Sequence, residues 1–107
     1  MTKFVNLTAD KINIYGKDRK LLLSIEPENV PAQCYNEREI CGYVGEIPVY
    51  HVKYWQVLDI PLPKENTVYI VDEEVANAVQ RADVYYLGRE IYDKNDHLIG
   101  YEGLQRA

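Results

Sequence analysis

Cys41 and His51 are the nearest this chain comes to a nucleophile beside a base. A cysteine attacks as its thiolate, so it needs positive surroundings that lower its pKa. Cys41 instead follows Asn36-Glu37-Arg38-Glu39-Ile40, where two carboxylates outweigh one guanidinium. The other histidine, His97, lies far along the chain, and neither histidine stands in an HExxH-like grouping. Ser24 is the only serine and sits in LLLSIEP, without the G-x-S-x-G turn that exposes a nucleophile. Cys34 and Cys41 lack histidine companions at metal spacing, so a zinc site is not expected and free thiols are. Asp93 and Asn95 begin a stretch like a calcium loop, but Leu98 and Leu104 stand where that loop requires glycine and glutamate. A hairpin turn accounts for the same residues. No Gly-rich phosphate loop occurs, and the expectation is a protein without catalytic residues, metal or cofactor. An enzyme built on Cys41 and His51 is the reading opposed to it.

One grouping suits recognition. Arg81, Tyr85, Tyr86 and Arg89 cluster around a helix exit, with Arg38 and Tyr43 available from a preceding long loop as a lid. Arginine forks hold phosphate or carboxylate, and tyrosine faces stack on bases, so this set suits a small anionic, nucleotide-like ligand. Arg81 paired with Asp83, beside packed strand tyrosines, is the competing structural account.

Composition narrows the partners. The net charge is −5, and residues 54–107 carry five basic against ten acidic side chains, with no basic stripe for polymeric nucleic acid. No apolar run is long enough for a membrane span. The N-terminal MTKFVNLTAD has no signal-peptide pattern, which leads to an expectation of a cytoplasmic protein. At 107 residues the chain reads as one domain, residues 1–107. Ten tyrosines against one phenylalanine and one tryptophan suit half-buried strands and recognition surfaces.

The elements that must position these residues follow from periodicity. Apolar residues at Phe4, Val5 and Leu7 mark a short strand; Ile12 and Ile14, then Leu21, Leu23 and Ile25 across GKDR, mark a hairpin. Residues 27–46, with two prolines and two glycines, read as a long irregular excursion with a short strand near Val30–Cys34. Val49–Val57 has bulky residues on both faces and reads as a central strand or a bending edge strand. TVYIV is a strand, and Asp72 caps a helix over residues 73–82 whose stripe is Val75, Val79 and Ala82. Val84–Leu87 and Leu98–Tyr101 form a closing hairpin around the Asx-rich DKND turn. The fold class is α+β, mostly antiparallel β in a small barrel or sandwich-like sheet, with one short helix.

NLTADKINI, GEIPV and YIVDEEVANAVQRADV together resemble a family of short, uncharacterised phage, prophage and Gram-positive bacterial proteins. That family has an N-L-T-P-H-x-I-x-I opening and a Y-I-V-S-x-x-V-A-x-A motif followed by R-x-D. Here Ala9 and Asp10 stand where the family has proline and histidine, and Asp72 replaces a capping serine. The resemblance implies a phage-related setting and no particular chemistry. The expectation is a non-enzymatic binding protein capturing a host protein or a small anionic signal molecule, with a counter-defence role. A self-assembling structural or virion-accessory module is the alternative.

Overall fold

The computed structural model describes residues 1–28 and 30–107, with the Tyr54 side chain outside the description. Along the chain come β1 (Lys3–Asn6), β2 (Ile12–Tyr15), β3 (Leu21–Ile25), β4 (Gln33–Val44), β5 (Ile47–Leu58), β6 (Thr67–Ile70), α1 (Glu73–Val79), β7 (Val84–Tyr92) and β8 (Leu98–Gln105). Six strands make one mixed sheet in the order β1-β6-β7-β8-β2-β3, and β4-β5 form a separate ribbon. A parallel bridge from Asn6 to Pro27 brings the two ends of the six-stranded sheet together, so it is a nearly closed barrel. The fold is α+β and β-rich, with antiparallel ladders carrying most of the paired residues. The parallel pairs β1–β6, β6–β7 and β2–β8 need crossovers, and α1 supplies the one between β6 and β7.

Strand alternation separates two cores. Inside the barrel, Ile12, Ile14 and Ile70 pack with Leu23, Ile25, Leu87 and Leu104. On the outer face of β1-β6-β7, Val5, Tyr69, Val71 and Val84 meet Val75 and Ala76 of α1, with Cys34 and Val57 from the base of the ribbon. Each fully buried Val or Ile contributes about 1.5–3 kcal/mol of transfer free energy, so these two clusters hold the body together. The helix is shorter than its periodicity suggests. Gln80 turns left-handed (φ 48°) with its N–H still bonded to the Ala76 carbonyl, and the chain leaves for β7 at that point. Asp72 occupies the N-cap without a side-chain cap hydrogen bond. At the other turn, Asp93 Oδ1 accepts from the backbone N–H of Asn95 and His97, the expected Asx-type hairpin turn.

Two expectations about the middle of the chain are corrected. The excursion over residues 27–46 contains a 12-residue strand, Gln33–Val44, instead of a short one near Val30–Cys34; Asn29 lies outside the described residues. Its partner, Ile47–Leu58, is not a covered central strand; it is an edge strand, bulged at Lys53, in a projecting two-stranded ribbon. The ribbon escapes periodicity because most of its length has no buried face to impose alternation. Register shifts at Cys41 and Lys53 also change the phase within each strand. The radius of gyration is 16.8 Å, against about 13 Å for a compact chain of this length. No helix among the described residues is long and apolar enough to cross a membrane.

Candidate functional site

The β4–β5 arm exposes many of the large apolar side chains among the described residues. It is built by β-branched and aromatic residues on β5 and closed by the two-residue turn Gly45–Glu46. Gly45 has φ 62°, the conformation that reserves the first turn position of such hairpins for glycine. Register assigns the side chains to faces. Cys34 and Val57, which pack into the outer core, share a face with Asn36 and Trp55, then with Arg38 and Val52, then with Ile40 and Tyr50. This face begins in the core, passes α1 where Trp55 lies against Glu74, Asn77 and Ala78, and continues outward with no cover. The opposite face carries Tyr35 beside Gln56 and a contact between Glu39 Oε1 and His51 Nε2 at 2.8 Å, and past the bulge at Cys41 it continues with Val49 and with the Val44–Ile47 pair.

At the tip, Tyr43, Val44 and Ile47 are each about two-thirds exposed (65%, 67% and 67%). Arg38 lies over the Tyr50 ring at 5.2 Å, so the cation covers part of the apolar face and leaves Ile40 and Val52 beside it. Patches of this kind are uncommon on monomers and mark contact surfaces. Pro48, opposite Tyr43, withholds an N–H from the outer edge of β5, and the bulges at Cys41 and Lys53 interrupt both edges. The arm is thus suited to binding by its face and tip, and poorly suited to adding another strand.

The recognition grouping seen in the sequence is spread over different surroundings. Arg81 donates Nε and Nη2 to the two Asp83 carboxylate oxygens at 3.0 and 2.7 Å and Nη1 to the Pro61 carbonyl at 2.8 Å. Its guanidinium also lies 5.8 Å from the Tyr69 ring centre, so its fork is turned inward. Tyr85 and Tyr86 are neighbours on a strand and point to opposite faces of the sheet. Tyr86 packs against the outer core, while Tyr85 takes a hydrogen bond and ring stacking from Arg106. Arg89 is exposed on β7 opposite Glu102. Arg38 and Tyr43 belong to the arm, not to a loop folded over the helix exit. Sequence reasoning missed the arm itself, although Gly45–Glu46 between Val44 and Ile47 is a hairpin signal.

The clefts of the body differ in character. The cleft before Tyr86 is lined by Asp72, Glu73 and Glu90, which oppose an anion. A cavity of about 300 Å³ at the start of α1 is lined by Cys34, Tyr35, Asp72 and Glu74 among others. Burial, then Glu74, pushes the Cys34 thiol up, which keeps it protonated and a weak nucleophile. Cys41 is free and its thiol contacts the Val49 carbonyl at 3.4 Å, while His51 is engaged by Glu39. The mouth of the barrel is different again: about 340 Å³ bounded by Phe4, Ile14, Leu22, Leu23, Gly103 and Leu104, with no polar side chain among them. No protein-family model, curated protein or solved structure matches this chain.

Proposed function

We propose that this protein is a non-catalytic interaction module that works by docking a protein surface on the β4–β5 arm. The supporting observation is the apolar face running from Trp55 through Val52, Tyr50 and Ile40 to Tyr43, open to solvent along its distal half, with Val49, Val44 and Ile47 exposed on the other side of the arm's end. A two-stranded ribbon is marginal in water unless something packs on it, and here only the base rests on α1 and the outer core. Of the two ligands allowed by the sequence, a protein fits this surface better than a small anion. The inward fork of Arg81 and the acidic cleft before Tyr86 leave an anionic ligand little to hold it. In the phage setting that the family resemblance suggests, the protein docked on the arm is either a host protein captured in the host cytoplasm, which would serve counter-defence, or a second copy of the chain.

The test is a photo-cross-linking amino acid placed in turn at Tyr50, Val52 and, as a control on the far β7–β8 turn, Lys94. Irradiation in cells should give protein adducts from Tyr50 and Val52 and none from Lys94. An absence of adducts at both arm positions would refute the reading.

A further inference from the structure

Resting on this reading of the arm, we infer that the surface it docks on is a second copy of the chain: each copy seats its arm tip in the other's barrel mouth, giving an arm-exchanged dimer. Among the described residues, two exposed apolar surfaces have opposite shapes. One is convex, the tip with Tyr43, Val44 and Ile47. The other is concave, the mouth between Phe4, Leu22, Leu23 and Leu104.

The mouth has a local cause. The seam between the sheet ends is bridged at Asn6–Pro27 and opens toward Phe4 and Leu23, while a register shift beside Ile14 leaves Leu22 without a cross-strand partner and 67% exposed. The concavity has room for the branched side chains of Val44 and Ile47.

Charge favours the same match. Lys3 adjoins Phe4, and the β2–β3 turn next to the mouth is Lys17-Asp18-Arg19-Lys20, whereas the tip turn carries Glu46. Asp18 accepts from the Lys20 backbone N–H, and the turn's three cations outnumber its one carboxylate, leaving a net positive turn to face an incoming carboxylate. The outer edge at the tip is blocked by Pro48, which steers association away from strand pairing and toward insertion of the tip.

Reach and area are adequate. A 12-residue strand spans about 40 Å. The distal half of each arm's apolar face is therefore roughly 20 Å by 10 Å. With the surface it covers, taken for both arms, this comes to about 800 Å², so the interface reaches the roughly 1,000 Å² of a specific one only with the two tips seated in the mouths.

The experiment is sedimentation velocity with light scattering on purified protein at micromolar concentrations. Wild type should be a dimer. Ile47→Asp (tip) and Leu22→Asp (mouth) each place a charge in an apolar contact and should weaken dimerisation roughly a hundred-fold or more. Both positions are exposed, and unchanged circular dichroism verifies folding. Mixing the two variants leaves one intact tip–mouth pair and should recover a heterodimer that neither forms alone. Glu46→Lys should weaken the dimer, and mixing with Lys20→Glu should strengthen it. A monomeric wild type, or dimers that persist in both aspartate variants, would overturn the inference. Arm adducts to another protein combined with a monomeric wild type would leave the arm as a docking element and remove the second copy as its occupant. The absence of both adducts and dimer would remove the two together.

Discussion

Asn6 accepts two hydrogen bonds from Thr8 through one oxygen, from the backbone N–H at 2.9 Å and from the hydroxyl at 2.6 Å. Its amide nitrogen donates to the Asp10 carbonyl at 2.8 Å and the Ile25 carbonyl at 3.1 Å. Asn6 is wholly buried, so this one side chain ties β1, the following loop and β3 together at the point where the barrel closes. Asn6→Ala strands several buried partners, each worth about 1–3 kcal/mol. The expected loss is roughly 3 kcal/mol, or about 12 °C in Tm, measured by thermal unfolding.

Arg81 and Asp83 clamp the exit of α1, with side-chain exposures of 24% and 20%. The side-chain hydrogen bond from Arg81, then its charge, holds the Asp83 carboxyl below the ordinary carboxylate range against the opposing effect of burial. A depressed carboxylate contributes stability that is present above the unfolded pKa of about 3.9 and is lost as pH falls through the folded value. Arg81→Ala should therefore cost about 2 kcal/mol near neutral pH, with the gap to wild type narrowing below about pH 4 in pH-dependent denaturation.

Asp72 has the opposite sign. Partial covering beside the cavity at the start of α1, then Glu74 and Asp10, raises its carboxyl above the ordinary range, although the residue as a whole is exposed. A raised carboxyl favours the fold fully below its unfolded pKa, and that contribution is lost as pH rises through the folded value. Asp72→Asn keeps a capping residue and removes the charge. Its Tm should exceed that of wild type near neutral pH, and the advantage should vanish at about pH 3.

Gly88 is required by proximity. A Cβ there would stand 1.9 Å from the Glu102 carbonyl oxygen, inside the β7–β8 ladder. Gly88→Ala should cost several kcal/mol or prevent folding, as strand separation is the only relief. Gly42→Ala, with open space around it on the arm, should leave Tm nearly unchanged.

Trp55 is the only tryptophan, about half exposed, where the arm passes α1. It marks the proximal half, so the distal face needs its own reporter: with Tyr50→Trp in a Trp55→Phe background, emission should be protected from acrylamide and blue-shifted, and should become readily quenched when Ile47→Asp is added. Equal quenching with and without Ile47→Asp would show that the distal face stays uncovered.

The body was legible from residue types because each of its elements has one buried face. Ile12 and Ile14 alternate with polar Asn13, TVYIV runs into Asp72 and the stripe of α1, and the DKND turn closes β7 on β8. The cysteines, histidines and lone serine likewise showed no catalytic grouping at the level of spacing. Tertiary structure alone decided the partners across the sheet and the fate of each recognition residue. Tyr85 and Tyr86 are adjacent in sequence, yet strand geometry sends them to opposite faces; the Arg81–Asp83 pair could be read from the sequence, but only packing brings the Pro61 carbonyl to the same fork and turns it inward. The arm was hidden for the same reason that it matters. Periodicity records burial within one chain, and a face that the chain's own core leaves open imposes no alternation to read.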